Sequence, residues 1–317
     1  MKKIILIFLT LGINISIYAG PVSEHGQLKV KGVHLVDKHN KPVVLRGTSF
    51  GWSNWYGKFY TEQTVDWLVS DWKVNVVRAS IGIEPDGAYI SNPPAQTELA
   101  MNVIDAAIKN DIYVIIDWHS HNIRTPEAVE FFDQMATVYG NYPNIIYEIF
   151  NEPVRQPWDD VKAYSDTIIR EIREIDKNNV ILVGSPHWDQ DIHIAADSPL
   201  TGYTNLMYSL HFYAATHKEG LRKNADYALK KGLPLFVSEC AGMEASGDGP
   251  IDKDSWNIWL NWMEKNKISW ACWSVSSKNE TCSMIKDDSV DPKGPWSDSD
   301  LKEWGKIVRE TLRAKNK

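Results

Sequence analysis

One pattern recurs along this chain and limits the folds open to it: a short apolar run, a polar or aromatic stop, then a longer amphipathic segment. Eight such runs are read at Val43–Arg46, Asn75–Ala79, Tyr113–Asp117, Ile145–Phe150, Val180–Val183, Leu206–His211, Leu235–Glu239 and Ser269–Trp273. Short β-prone runs without polar alternation read as parallel strands covered on both faces. The segments between them carry helical periodicity. Val65 and Leu68 share a face within 61–70, as do Val103, Ile104 and Ala107 within 99–110, and Ile168, Ile169 and Ile172 within 164–175. The pattern returns in 253–265 and 299–314. Eight strand-plus-helix units predict an α/β fold, a (β/α)8 TIM barrel, forming a single domain over residues 20–317. Ahead of it, the runs at 27–30 and 33–36, joined at Lys31-Gly32, predict a short N-terminal β-hairpin capping the bottom of the barrel.

Hydrophobic content of 43% against 24% charged residues suffices to bury such a core. The formal net charge of -7 argues against a polyanion as the main ligand, because phosphate recognition needs clustered Lys and Arg; no nucleic-acid partner is expected. The 14 Trp and 13 Tyr serve either as core filler or as flat platforms for sugar faces. Met1-Lys2-Lys3, the apolar Ile4–Leu11 and Tyr18-Ala19-Gly20 follow the charged, hydrophobic and small-residue order of a secretory signal. Residues 1–19 are therefore expected to be a signal peptide, and the mature chain to be secreted or periplasmic. A membrane anchor is the competing reading, but the run is shorter than the ~20 residues a span requires. Cys240, Cys272 and Cys282 are odd in number and lack metal-site spacing, so at most one internal bridge is open to them.

The stretch 145–154, Ile-Ile-Tyr-Glu-Ile-Phe-Asn-Glu-Pro-Val, reads as a buried strand that delivers Glu152 to its C-terminal edge, with Pro153 ending the ladder. That edge is where barrel enzymes place their chemistry. The other strand ends bring Arg78, Asp117-Trp118-His119, His211-Phe212-Tyr213, Ser238-Glu239 and Trp273 to the same face. His119, His211 and the two glutamates contain the ligand types of a zinc site but not its short spacings, and no metal is expected. What remains is Glu152 and Glu239 across one opening. Two carboxyl groups flanking a substrate are the minimum for glycoside hydrolysis, one giving a proton to the leaving oxygen while the other attacks the anomeric carbon. Arg78, if close to Glu239, lowers its pKa and keeps it ionised; Glu152 has no cationic neighbour in sequence and is expected to stay protonated.

These blocks resemble glycoside hydrolase family 5, within its bacterial endoglucanase (cellulase) subgroup. The similarity extends from His25-Gly26-Gln27-Leu28 to the last helix, through Leu45-Arg46-Gly47-Thr48, Trp55-Tyr56-Gly57, Val114–His119, Val237-Ser238-Glu239 and Trp270–Ser274. The resemblance implies a retaining double displacement with Glu239 as nucleophile and Glu152 as acid, then base. It implies that Arg78 and Tyr213 hold Glu239, that Asn151 bonds the sugar 2-hydroxyl, that His119 and His211 line the subsite of cleavage, and that Trp273 floors it. More distant contacts implied are Trp55 on the non-reducing side, Trp188 on the leaving-group side, and Lys278 and Glu280 beyond Trp273. The chain departs from the subgroup at Gly51, where a histidine is expected, at Ile81-Gly82, where an aromatic is common, and at Cys240, where relatives often carry an aromatic. A Cys240–Cys272 contact is conceivable, with free thiols favoured because a bridge between neighbouring strands strains disulfide geometry.

The expected partner is a β-1,4-linked polysaccharide or oligosaccharide, with no cofactor, no membrane association after signal removal, and a monomeric chain. Two rivals stay open at this stage. One is another barrel polysaccharide hydrolase, a mannanase, licheninase or xyloglucanase, since substrate choice rests on loops. The other is a carbohydrate-binding protein without catalysis, against which retention of both glutamates with Arg78, Asn151 and Tyr213 argues.

Overall fold

A computed structural model describes residues 20–316, so the expected signal peptide at 1–19 lies outside the described residues. Strands β1 (Lys29–Lys31) and β2 (His34–Val36) form an antiparallel hairpin. Then come β3 (Arg46–Phe50), β4 (Val76–Gly82), β5 (Tyr113–His119), β6 (Ile145–Glu148), β7 (Val180–Val183), β8 (Leu206–Tyr213), β9 (Leu235–Ala241) and β10 (Trp270–Val275). These eight are parallel neighbours in chain order and close where β10 pairs with both β9 and β3, giving the expected (β/α)8 barrel with its hairpin. Among the described residues no helix is long and apolar enough to cross a membrane.

Alternation along the strands sorts the barrel interior into two halves. Side chains two apart share a face. At the lower end the inward positions are apolar: Val76, Tyr113, Ile115, Ile146, Val180, Leu182, Met207 and Phe236 form one cluster with Val22, Leu28, Leu35, Val43 and Leu45. The hairpin thus closes the bottom. Two or four residues further along, the same faces carry Arg78, Asp117, His119, Glu148, Ser209 and His211, all buried. The outward positions, such as Val77, Val114, Ile116, Ile145 and Tyr147, belong to the larger core shared with the helices.

Four sequence expectations shift. The run 43–46 is not the first barrel strand; Val43 and Leu45 instead pack into the bottom cluster, and the ladder begins at Arg46. It runs through Gly47, where a Cβ would lie 1.7 Å from the Val76 carbonyl oxygen, so only glycine lets β3 meet β4. The helix read at 61–70 is a short α-helix, Glu62–Trp67, capped by Thr61 and continued by a π-turn, Leu68–Trp72, that buries both its end residues. Strand β6 stops at Glu148, before Phe150; its extension is carried by single bonds, Asn151 N–H to the Trp118 carbonyl and Glu152 N–H to the Ser120 carbonyl. Finally, β9 holds a bulge: Ser209 pairs with Phe236 but His211 with Glu239, two steps on β8 against three on β9. Phe236 faces inward, and with unbroken alternation a residue three steps on would face the helices; the bulge is what turns Glu239 inward.

Candidate active site

Arg78 sits at the centre of the polar half. Its guanidinium donates from Nε to Glu148 (2.6 Å), from Nη1 to Glu239 (2.9 Å) and from Nη2 to the Asn151 amide oxygen (2.6 Å), with Asp117 at 3.0 Å. Burial opposes its charge, but Asp117, Glu148 and Glu239 more than offset this and hold its pKa above the ordinary value. One planar fork fixes carboxylates from β5, β6 and β9, a task for which arginine geometry is suited. Burial raises Glu148 while Arg78 and His211 lower it further, to about 2. Sequence reasoning placed Asp117 at this face without giving it a role, and missed Glu148 altogether. The signal was present: a lone charge inside the apolar run Ile145–Phe150 is costly to bury without a partner.

The two glutamates expected to react do meet. Carboxylate oxygens of Glu152 and Glu239 and a ring nitrogen of His211 all lie within 4.8 Å of one another. Glu239 accepts from the Tyr213 hydroxyl (2.7 Å) on one oxygen and from Arg78 on the other. Burial is the dominant influence on Glu239 and raises its pKa, with His211, Arg78 and Tyr213 opposing it. The expected Arg78 contact is therefore present, but it limits the rise rather than producing a net fall.

Glu152 is the larger correction. It is not free of cationic neighbours: His211 Nδ1 lies 3.0 Å from one oxygen and His121 Nε2 3.3 Å from the other. Burial raises its pKa, but hydrogen bonds from His121 and His211 outweigh this and bring it to about 2. His211, correspondingly, resists burial through Asp189, Glu148 and Glu152 and is held well above the ordinary histidine value. Both shifts favour an ion pair with the shared proton on His211. His119 behaves oppositely: burial and Arg78 hold it neutral, hydrogen-bonded to Asp117 at 2.7 Å.

Above these groups a cleft of about 590 Å³ opens between Trp55 and Trp188. Glu152, Glu239, His119, His211, Tyr213, Trp273, Trp55, Trp188, Lys278 and Glu280 all line it, while Arg78 and Asn151 lie beneath. Trp273 stacks on His119 at 5.2 Å and 4°, and Lys278 pairs with Glu280. Trp55 is 56% exposed and Trp188 39%, high for large aromatics, although each packs against one neighbour, Trp52 and His187 respectively. Trp52, Tyr56, His121 and His217 also line the cleft and were not singled out from sequence. At Gly51 a Cβ would meet Ser276 Cβ at 2.9 Å and the Tyr56 ring at 3.0 Å, so Tyr56 and Ser276 crowd out a side chain there. Cys240 and Cys272 are free thiols with sulfurs 3.9 Å apart.

Among the described residues, two donor sets are compact enough to consider for a cation, Glu148–Asp189–His211 and Glu152–His211–Glu239, each within 4.8 Å. Both depend on His211, whose nitrogens are already engaged by Glu152 and by Ser238 at 2.9 Å. Glu148 and Glu239 are likewise committed to Arg78.

A closed eight-stranded barrel with two carboxyl groups facing each other at its C-terminal mouth, lined by aromatics, defines a glycoside hydrolase. Residues 36–279 match the family described as Cellulase (glycosyl hydrolase family 5), and the chain belongs to that family. It is 40% identical to an endoglucanase of Clostridium saccharobutylicum over 99% of this chain and 71% of that protein. To Endoglucanase Z of Dickeya dadantii it is 42% identical, over 86% of this chain and 63% of the relative. A solved structure from Cytophaga hutchinsonii superposes with a TM-score of 0.91 at 43% identity, covering 93% of this chain and 97% of the other. The catalytic domain of a Thermobifida fusca endoglucanase in complex with cellotetraose superposes at 0.86 and 32% identity, covering 93% and 99%. Against the full curated relatives the chain is shorter, spanning 71%, 57% and 63% of three endoglucanases.

Proposed function

We propose that this chain is a retaining endo-β-1,4-glucanase that cuts cellulose chains or soluble β-glucans by a double displacement at Glu239 and Glu152. The observation that carries the reading is the separation of the two carboxylates, whose nearest oxygens lie within 4.8 Å. Retaining chemistry places the two groups about 5 Å apart, whereas inversion needs roughly 6.5–9.5 Å to seat a water between sugar and base.

In the first step Glu239 attacks the anomeric carbon as the glycosidic C–O bond breaks, and the leaving oxygen takes a proton from Glu152. Arg78 and Tyr213 each occupy one lone-pair direction on Glu239, which orients the carboxylate and leaves a lone pair for attack. The proton required at Glu152 is stored one hydrogen bond away on His211, across 3.0 Å. In the second step water attacks the glycosyl ester, Glu152 takes its proton, and Glu239 departs. Asn151 gives its amide oxygen to Arg78 while its Nδ2 has no partner among the described residues, leaving a donor for a sugar 2-hydroxyl. His119 and Trp273, stacked together, form the wall and floor of the subsite, and Trp55 and Trp188 offer faces to sugars on either side.

The test is the ratio of initial rates on carboxymethylcellulose, mixed-linkage glucan and mannan, with Glu239→Ala as control. The expected result is hydrolysis of the glucans, abolished in the variant. Dominant activity on mannan, or turnover that survives in Glu239→Ala, overturns the proposal.

A further inference from the structure

We propose that Asp189 is a positioning residue that joins the leaving-group side of the cleft to the acid, one carboxylate oxygen building the turn that presents Trp188 and the other facing the imidazole that shares a proton with Glu152. This rests on the hydrolase reading above.

The turn is built against resistance. His187, Trp188 and Asp189 all have left-handed backbone, with φ of 59°, 54° and 58°, a region that costs energy for side chains beyond glycine, eased for Asn, Asp and His but not for a bulky Trp. Three such residues in a row need external bonds. Asp189 Oδ1 accepts from the Ser185 amide at 2.5 Å, the Asp189 amide returns to the Ser185 carbonyl at 3.2 Å, and the Trp188 amide donates to the carbonyl of Pro153, directly after Glu152, at 3.0 Å. The platform for the departing sugar is thereby tied to both ends of the acid machinery.

The second oxygen has no such bond. Asp189 is fully buried, and its Oδ2 has no hydrogen-bond partner among the described residues. It faces His211 Nε2 at 3.4 Å. Around that ring stand Glu152 at Nδ1 (3.0 Å), Ser238 (2.9 Å) and Glu148 (3.6 Å) at Nε2, with Glu239, Asp117 and His119 beyond. Glu148 is already answered by Arg78 and by the Ser209 hydroxyl at 3.1 Å. Asp189 is the carboxylate whose charge is answered mainly by His211. Burial dominates and holds its pKa well above the ordinary carboxylate value, with the facing His211 opposing that rise. In its ionised form a carboxylate 3.4 Å from Nε2 favours the charged ring, and removing it lets the His211–Glu152 pair surrender its proton at lower pH.

The experiment compares Asp189→Asn with the unaltered chain. Asparagine keeps the Oδ1 acceptor and tolerates the left-handed backbone but removes the charge. Asp189→Gly, which relieves the turn, serves if the Asn variant does not fold. Profiles of kcat/KM against pH are measured on cellotetraose, whose leaving group needs a proton, and on 2,4-dinitrophenyl β-cellobioside, whose leaving group does not. The expected result is a loss of about 10-fold or more on cellotetraose with the alkaline limb moved down by about one unit, and a change under about twofold on the activated substrate. Equal losses on both substrates, or an alkaline limb that stays in place, overturn the proposal. An unaltered chain that cleaves neither substrate overturns the hydrolase reading instead.

Discussion

Replacing Tyr213 with Phe removes one oxygen and isolates one interaction. The hydroxyl donates to Glu239 Oε1 at 2.7 Å, and Arg78 independently holds the other oxygen at 2.9 Å, so the carboxylate keeps its place in the variant. A hydrogen bond to an ionised acceptor contributes about 1.5–3 kcal/mol, and it acts on the charged form of Glu239 alone. At 1.36 kcal/mol per pKa unit, its loss raises the proton affinity of Glu239 by about one to two units. The nucleophile must be ionised to attack, and the acid limb of kcat/KM reports ionisation in the free enzyme. The limb is therefore expected to move to higher pH by about one to two units in Tyr213→Phe. The assay is the pH dependence of kcat/KM on 2,4-dinitrophenyl β-cellobioside, which removes the acid's titration from the profile. A limb that stays put, or moves to lower pH, refutes the reasoning that Tyr213 stabilises the charged nucleophile.

Arg78→Met leaves Asp117, Glu148 and Glu239 buried without their common partner, and a loss of about 3–5 kcal/mol is expected in urea unfolding; a change under about 1 kcal/mol contradicts the role given to the fork. His217 accepts the Tyr213 amide at Nδ1 (2.8 Å), which requires an unprotonated nitrogen, and burial lowers its pKa to about 4. Below the ordinary histidine value the unfolded chain binds the proton that the folded chain refuses, so stability is complete above about pH 6.5 and falls, by up to about 3 kcal/mol, as pH drops to about 4. Urea midpoints across that window should fall less in His217→Asn; parallel curves for the two chains count against this. Trp55 is more than half exposed and packs only one side against the Trp52 ring, so Trp55→Ala should raise KM for cello-oligosaccharides several-fold with kcat unchanged and little change in melting temperature; a fall in kcat alone contradicts its assignment as a platform.

The parts legible in the sequence were those carried by local pattern. Strand β7 falls where its apolar run places it, at Val180–Val183, and the strand ends converge as eight parallel units require. What was not legible depends on partners distant in the chain. Nothing local says that Val43 and Leu45 belong under the barrel rather than in its wall, because the hairpin residues Leu28 and Leu35 that receive them also read as a simple apolar pair. The bulge in β9 has no local signature, although it is what turns Glu239 inward. The electrostatics failed for the same reason. Glu152 has no cation beside it in sequence, yet the fold brings His121 from the loop after β5 and His211 from β8 to its two oxygens. Asp189 was passed over next to Trp188 because its partner, His211, lies on the following strand.

The most direct test of the account is the anomeric configuration of the first products released from cellotetraose, followed by proton NMR before mutarotation. With Glu152 and Glu239 oxygens within 4.8 Å, the account predicts β-configured new reducing ends at the earliest time point. Products that appear first as the α-anomer would contradict it.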